Sequence, residues 1–125
     1  MNVNHAHAKT VLLKLKRGIK MQIRKAGYED YGMREDEVRR LIAYCRSGTI
    51  FDDHEMLLQA AKAAKRDIAN LLYFSITNKC SWEKLDTINY VPISKGDFYA
   101  YRRKTLALFR QALIKCGKWE KIMNK

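Results

Sequence analysis

The sequence predicts an all-α fold, a five-helix single domain with a C-terminal helix-turn-helix. Three observations carry that prediction. Pro92 is the single proline. Gly27, Gly48 and Gly117 stand where apolar periodicities end. Between them, apolar residues recur at the three- and four-residue spacing of a helix face rather than at the two-residue spacing of a strand. With 125 residues, 47% of them hydrophobic and 30% charged, the chain has the size and composition to bury one modest core, so residues 1–125 read as one domain. Within it, residues 1–76 read as a helical scaffold and residues 77–117 as the helix-turn-helix region.

The first helix is predicted over residues 8–26, where Val11, Leu12, Leu15, Ile19, Met21, Ile23 and Ala26 recur and lysines and arginines cover the rest; Gly27 ends it. The second runs over 33–47. Glu35, Asp36 and Glu37 in its first turn and Arg46 in its last suit the helix dipole, and Val38, Leu41, Ile42 and Cys45 form its buried stripe. The third, the longest, opens at Asp52 or Asp53 as N-cap and reaches Ser75. Its apolar face is Met56, Leu57, Ala60, Ala61, Ala64, Ile68, Leu71 and Leu72, and its alanines admit a close neighbouring helix, within the scaffold in preference to a dimer seam. Ser81 caps a short fourth helix, residues 82–88, with Trp82, Leu85 and Ile88 inward. Pro92 then forces a turn at 89–93, because it pushes the preceding residue out of helical geometry. The fifth helix spans 94–116, its start fixed by Ser94 and Asp97 as a capping box.

Charge points to the partner. The formal net charge is +12, which implies a polyanion, and nucleic acid is the commonest one. The first 28 residues hold no acid and residues 71–125 are again basic, whereas residues 29–70 are nearly neutral. Cys45, Cys80 and Cys116 are odd in number and far apart, with no C-x-x-C pair, the pattern of reduced thiols in a cytoplasm. No signal peptide and no run of membrane-spanning length is evident, so a cytoplasmic location with no membrane partner is expected.

On the fifth helix, residues advance about 100° each. Phe98, Tyr101, Thr105, Phe109 and Ala112 therefore share one face, read as core, and Gly96, Tyr99, Arg103, Ala107 and Arg110 share another. That second face, flanked by Lys95, Arg102 and Lys104, has the profile of a recognition helix for double-stranded DNA. The candidate DNA contacts are Ser94, Lys95, Tyr99, Arg102, Arg103, Lys104 and Arg110. Arg103 is the best base reader, because an arginine fork matches guanine O6 and N7. Arg102, Lys104 and Arg110 are assigned to phosphates, and the free N–H groups at the helix start also attract phosphate. The competing reading of the Arg102, Arg103 and Lys104 triplet is an ordinary solvated face.

Ile93, Ser94, Lys95, Phe98 and Tyr99, followed by basic residues, resemble the end of the ArpU/RinA group of phage transcriptional activators of late genes. More distantly, Leu71, Leu72 and Tyr73 through Trp82, Glu83 and Leu85 to Ser94 and Leu106 resemble the fourth region of sigma factors, a helix-turn-helix that reads promoter DNA. The likeness covers roughly residues 68–116. It departs in the turn, where Tyr90 and Pro92 replace a glycine-like loop, and in a basic cluster placed later on the helix. The resemblance implies phage or prophage origin and transcription activation; composition and spacing imply DNA binding alone.

Other features point to no chemistry. His5 and His7 lack cysteine or carboxylate company, so no metal or other cofactor is expected. Asp52 and Asp53 suit a helix start, with no partner base or nucleophile marked by spacing, and no phosphate loop or zinc spacing occurs. An enzyme is not expected. Trp82 reads as core, whereas Trp119 in the basic tail fits packing, partner contact and DNA-backbone contact equally. The expectation is a sequence-specific regulator of transcription, working as a homodimer or with RNA polymerase, since one recognition helix reads few base pairs. The alternative is a structural or packaging component such as a small terminase subunit.

Overall fold

The computed structural model describes residues 23–124. The fold is all-α, with no strand among these residues. Helices α1 (Glu35–Cys45), α2 (His54–Lys65), α3 (Ala69–Asn78), α4 (Trp82–Ile88), α5 (Lys95–Lys115) and α6 (Trp119–Met123) are joined by short connections, two of which contain 3₁₀ turns, and two further 3₁₀ turns, Ile23–Lys25 and Tyr28–Tyr31, precede α1. Most of the first predicted helix lies outside the described residues; its end, Ile23–Lys25, is a 3₁₀ turn packed against α5.

Helix starts follow local chemistry. In α1 the Glu37 carboxylate accepts the Arg34 backbone N–H at 3.0 Å, satisfying a donor that the helix leaves open. Ser81 Oγ accepts from Lys84 N at 3.2 Å and Ser94 Oγ from Asp97 N at 3.3 Å, the two predicted caps. The other half of the Ser94 box is redirected, for Asp97 holds Arg24 at 2.6 Å.

The long third helix is corrected by the structure to two helices. Lys65 is extended (φ −163°, ψ 99°) and a 3₁₀ turn, Arg66–Ile68, separates α2 from α3. The apolar period runs through the break, since Leu57, Ala61, Ala64, Ile68, Leu72 and Ile76 are all buried, so the pattern carried no sign of it. The break lets α3 fold back on α2 while still reaching α5. It also ends three residues later than predicted, at Asn78, with Lys79 in the left-handed region (φ 52°) and Cys80 N donating to Ser75 O.

Helix α5 is the central element. Phe98, Thr105 and Phe109 on the predicted core face are fully buried, and so are Ala100, Leu106 and Leu113 outside it. A helix buried around most of its circumference belongs to the interior of a domain. Its N-terminal half contributes Phe98 to a cluster with Leu72, Leu85 and Val91, against which Trp82 packs. Its C-terminal half contributes Leu106, Phe109 and Leu113 to a second cluster with Leu41, Leu57 and Ile76, on which Trp119 rests. Ile88, predicted inward, is 69% exposed, because α4 turns its Leu85 side to the core. The basic tail is not an appendage: Gly117, at φ 78°, reverses the chain and α6 packs on α1 and α5.

Candidate nucleic-acid interface

The seven candidate contacts all lie on or beside α5, and the protein itself engages most of them. Ser94 Oγ accepts from Arg24 Nη2 at 2.6 Å while capping the helix. Lys95 pairs with Glu83, whose carboxyl it holds below the usual range; both side chains are exposed, so the pair contributes little to stability. Tyr99 accepts from Trp82 N at 3.1 Å and sets its ring edge-on to Phe98. Arg103 donates to Ala26 O at 2.9 Å and to Arg24 O at 3.3 Å. Lys104 is half-buried, and that burial lowers its pKa.

Arg110 requires a correction. It is 4% exposed, with Nη2 3.6 Å from the equally buried Glu37 and its guanidinium 5.1 Å from the centre of the Trp119 ring. A side chain sealed in this way grips no phosphate. Ala107 beside it is also buried. The predicted outward face is therefore closed at its C-terminal end by α1 and α6. At its N-terminal end the turn Ile23–Lys25 covers it, and a Cβ built on Gly96 would sit 3.2 Å from the Arg24 guanidinium carbon. Of the predicted contacts on α5, those that reach solvent lie in its first turn and on the flank carrying Arg102, Arg103 and Lys104.

Arg102 occupies the most distinctive position on that flank. Its guanidinium lies 5.8 Å from the centre of the Tyr99 ring and makes one long hydrogen bond, Nη1 to Ser75 Oγ at 3.4 Å. Arg46, from the end of α1, donates to Ile76 O at 3.1 Å. Both arginines thus converge on the last turn of α3. Burial, opposed by Tyr28 and reinforced by the like charge of Arg46, pulls the Arg102 pKa below its ordinary value, though an arginine stays charged. Tyr28 is held above its ordinary range by burial, which the cations Arg102 and Arg103 only partly offset. In the sequence Arg46 suits the dipole of its own helix and Tyr28 belongs to no motif. Both come from outside the predicted helix-turn-helix region, and no spacing rule joins positions 28, 46 and 102.

The acids do not balance the cations. Asp36, Glu37, Asp53, Asp67, Glu83 and Asp97 are in ion pairs. Arg39, Arg40, Arg46, Arg66, Lys79 and Lys84, all exposed, and the Arg102, Arg103 and Lys104 flank have no carboxylate at ion-pair distance among the described residues. No group of three histidine, cysteine or acidic side chains there is placed to hold a metal ion, and no described helix is long and apolar enough to cross a membrane. Compared with protein families, with curated proteins and with solved structures, the chain finds no match.

Proposed function

We propose that the protein binds double-stranded DNA and regulates transcription, in the manner of a phage late-gene activator. The observation that carries the reading is the set of exposed cations left without carboxylate partners, in a chain of net charge +12. Unpaired cations on a folded surface are what phosphate contact requires, and phosphate contact supplies most non-specific affinity for DNA. The short helix, turn and long helix from Trp82 to Lys115 support the finer part of the reading. Base reading by Lys95 and Arg103 requires residues 23–26 to leave α5, since they occupy the face that a groove would meet.

Gel shifts on the DNA upstream of the protein's own coding region, with unrelated DNA as competitor, test the proposal. Preferential retention is expected. Equal competition removes the regulator while leaving DNA binding, and no shift at low salt removes both. If about five phosphates are neutralised, log affinity falls with log salt at a slope of roughly −4.5. Mass measurement in solution, expected to give a monomer or dimer, would favour a packaging role if it gave a large ring.

A further inference from the structure

Arg102 and Arg46 pose a problem that the protein's own groups do not solve. Two guanidinium groups converge on the same helix end, one of them half-buried, and none of the groups acting on Arg102 is a carboxylate: they are Tyr28, Arg46, Tyr99 and Cys45. The first 22 residues contain no aspartate or glutamate. Capping of α3 explains Arg46, whose Nε reaches a carbonyl in the last turn of that helix. It does not explain Arg102, which gives one 3.4 Å bond to a hydroxyl already donating to Cys80 O at 2.6 Å. A guanidinium carries five donors in a planar fork suited to an oxyanion. None of the Arg102 nitrogens is a sealed, partnerless atom of the kind found in Arg110, so its spare donors face solvent or a ligand rather than a closed void.

We propose that Arg102, with Arg46, forms an oxyanion site that takes a phosphoryl group, and that the group is a backbone phosphate of the DNA bound under the proposed function. The site rests on that function for its source of phosphate only. Its geometry is its own. The arginine fork makes paired hydrogen bonds to two phosphoryl oxygens, Arg46 closes from the end of α1, and Tyr99, beneath the guanidinium, holds the fork in place. The anion removes the repulsion between the two arginines, so its binding also stabilises the fold.

Two measurements on the full chain decide it. In the first, thermal unfolding is followed in inorganic phosphate and in sodium chloride at matched ionic strength. The wild type should melt several degrees higher in phosphate, and Arg102→Gln and Arg46→Gln should lose that difference. Arg46 is exposed, so its variant keeps the test open if the half-buried Arg102→Gln folds poorly, and Arg102→Lys, with charge but no fork, should keep only part of the shift. In the second, the salt slope of DNA binding should become shallower by about one in each glutamine variant. Both effects together establish the site and its DNA source. A phosphate-specific shift without a change in slope keeps the oxyanion site but assigns it to a free phosphorylated ligand. Equal melting in the two salts together with an unchanged slope overturns it. If the wild type binds no DNA at all, the proposed function falls and the melting comparison still decides the site.

Discussion

Asp53 shows how one side chain takes a different role from the one its position suggests. It stands at the N-cap of α2 yet makes no capping bond; its carboxylate, 3% exposed, accepts instead from Tyr44 Oη and from Lys118 Nζ at 2.7 Å. Burial disfavours its charge, but the Lys118 and Tyr44 hydrogen bonds outweigh burial and hold its pKa below the ordinary value. Because the folded value is depressed, the stabilisation is fully present above the unfolded pKa of about 4 and is lost as pH falls through the folded value. Lys118 is raised by the same contact, so its share is present at neutral pH and is lost only as pH rises through its folded value. Tyr44→Phe should cost about 1–2 kcal/mol at pH 7 by urea denaturation. The cost should shrink as pH falls through the folded pKa of Asp53; a cost that stays constant along the whole acid limb would mean that the hydroxyl acts through packing alone. Arg110 and Glu37 form a buried pair whose Arg110 Nε and Nη1 have no partner. Arg110→Met alone should destabilise by about 3 kcal/mol, because it leaves a buried carboxylate with only its Arg34 contacts, whereas Arg110→Met with Glu37→Gln should recover most of the loss. A double variant less stable than the single one would contradict the pairing.

At the scale of elements, what was legible in the sequence depended on how far apart the interacting groups lie. The Ser81 and Ser94 caps join groups three residues apart, and both were readable; so were the bounds of α4 and α5. The face of α5 that would read DNA was not readable, because what covers it comes from Arg24 and Ala26, more than 70 residues away. The break at Lys65 escaped because its apolar stripe is continuous. Lys79 is the opposite case, a local feature against its residue's preference. It ends α3 in the left-handed region, which costs a side chain bearing Cβ roughly 1 kcal/mol and costs glycine nearly nothing. Lys79→Gly should therefore stabilise the protein by up to about 1 kcal/mol, read from the urea midpoint, the looser unfolded chain offsetting part of the gain. A destabilised variant would show that the lysine side chain makes a contact worth more than the backbone strain.

For the whole molecule, α2 and α5 determine whether there is one cooperative unit or two. Each runs through both hydrophobic clusters: α2 gives Leu57 and Ala60 to one and Ala61 to the other, and α5 gives Leu106, Phe109 and Leu113 to one and Phe98 to the other. Neither cluster can be dismantled without unwinding a helix that the other needs, so unfolding should be two-state. The chain provides its own optical check. Its only two indoles are divided between the clusters, Trp82 donating to Ile93 O at 3.1 Å beside one and Trp119 lying over a buried guanidinium beside the other. Trp82→Phe leaves emission from the second cluster alone, and Trp119→Phe leaves emission from the first. In each variant the fluorescence transition in urea should coincide with the loss of helical circular dichroism. Two separate transitions in either variant would show that the clusters come apart independently. The guanidinium under Trp119 gives that colour channel a further use: a cation held against an indole face in the fold moves away on unfolding, so brightness and wavelength at position 119 report the seating of α6 directly.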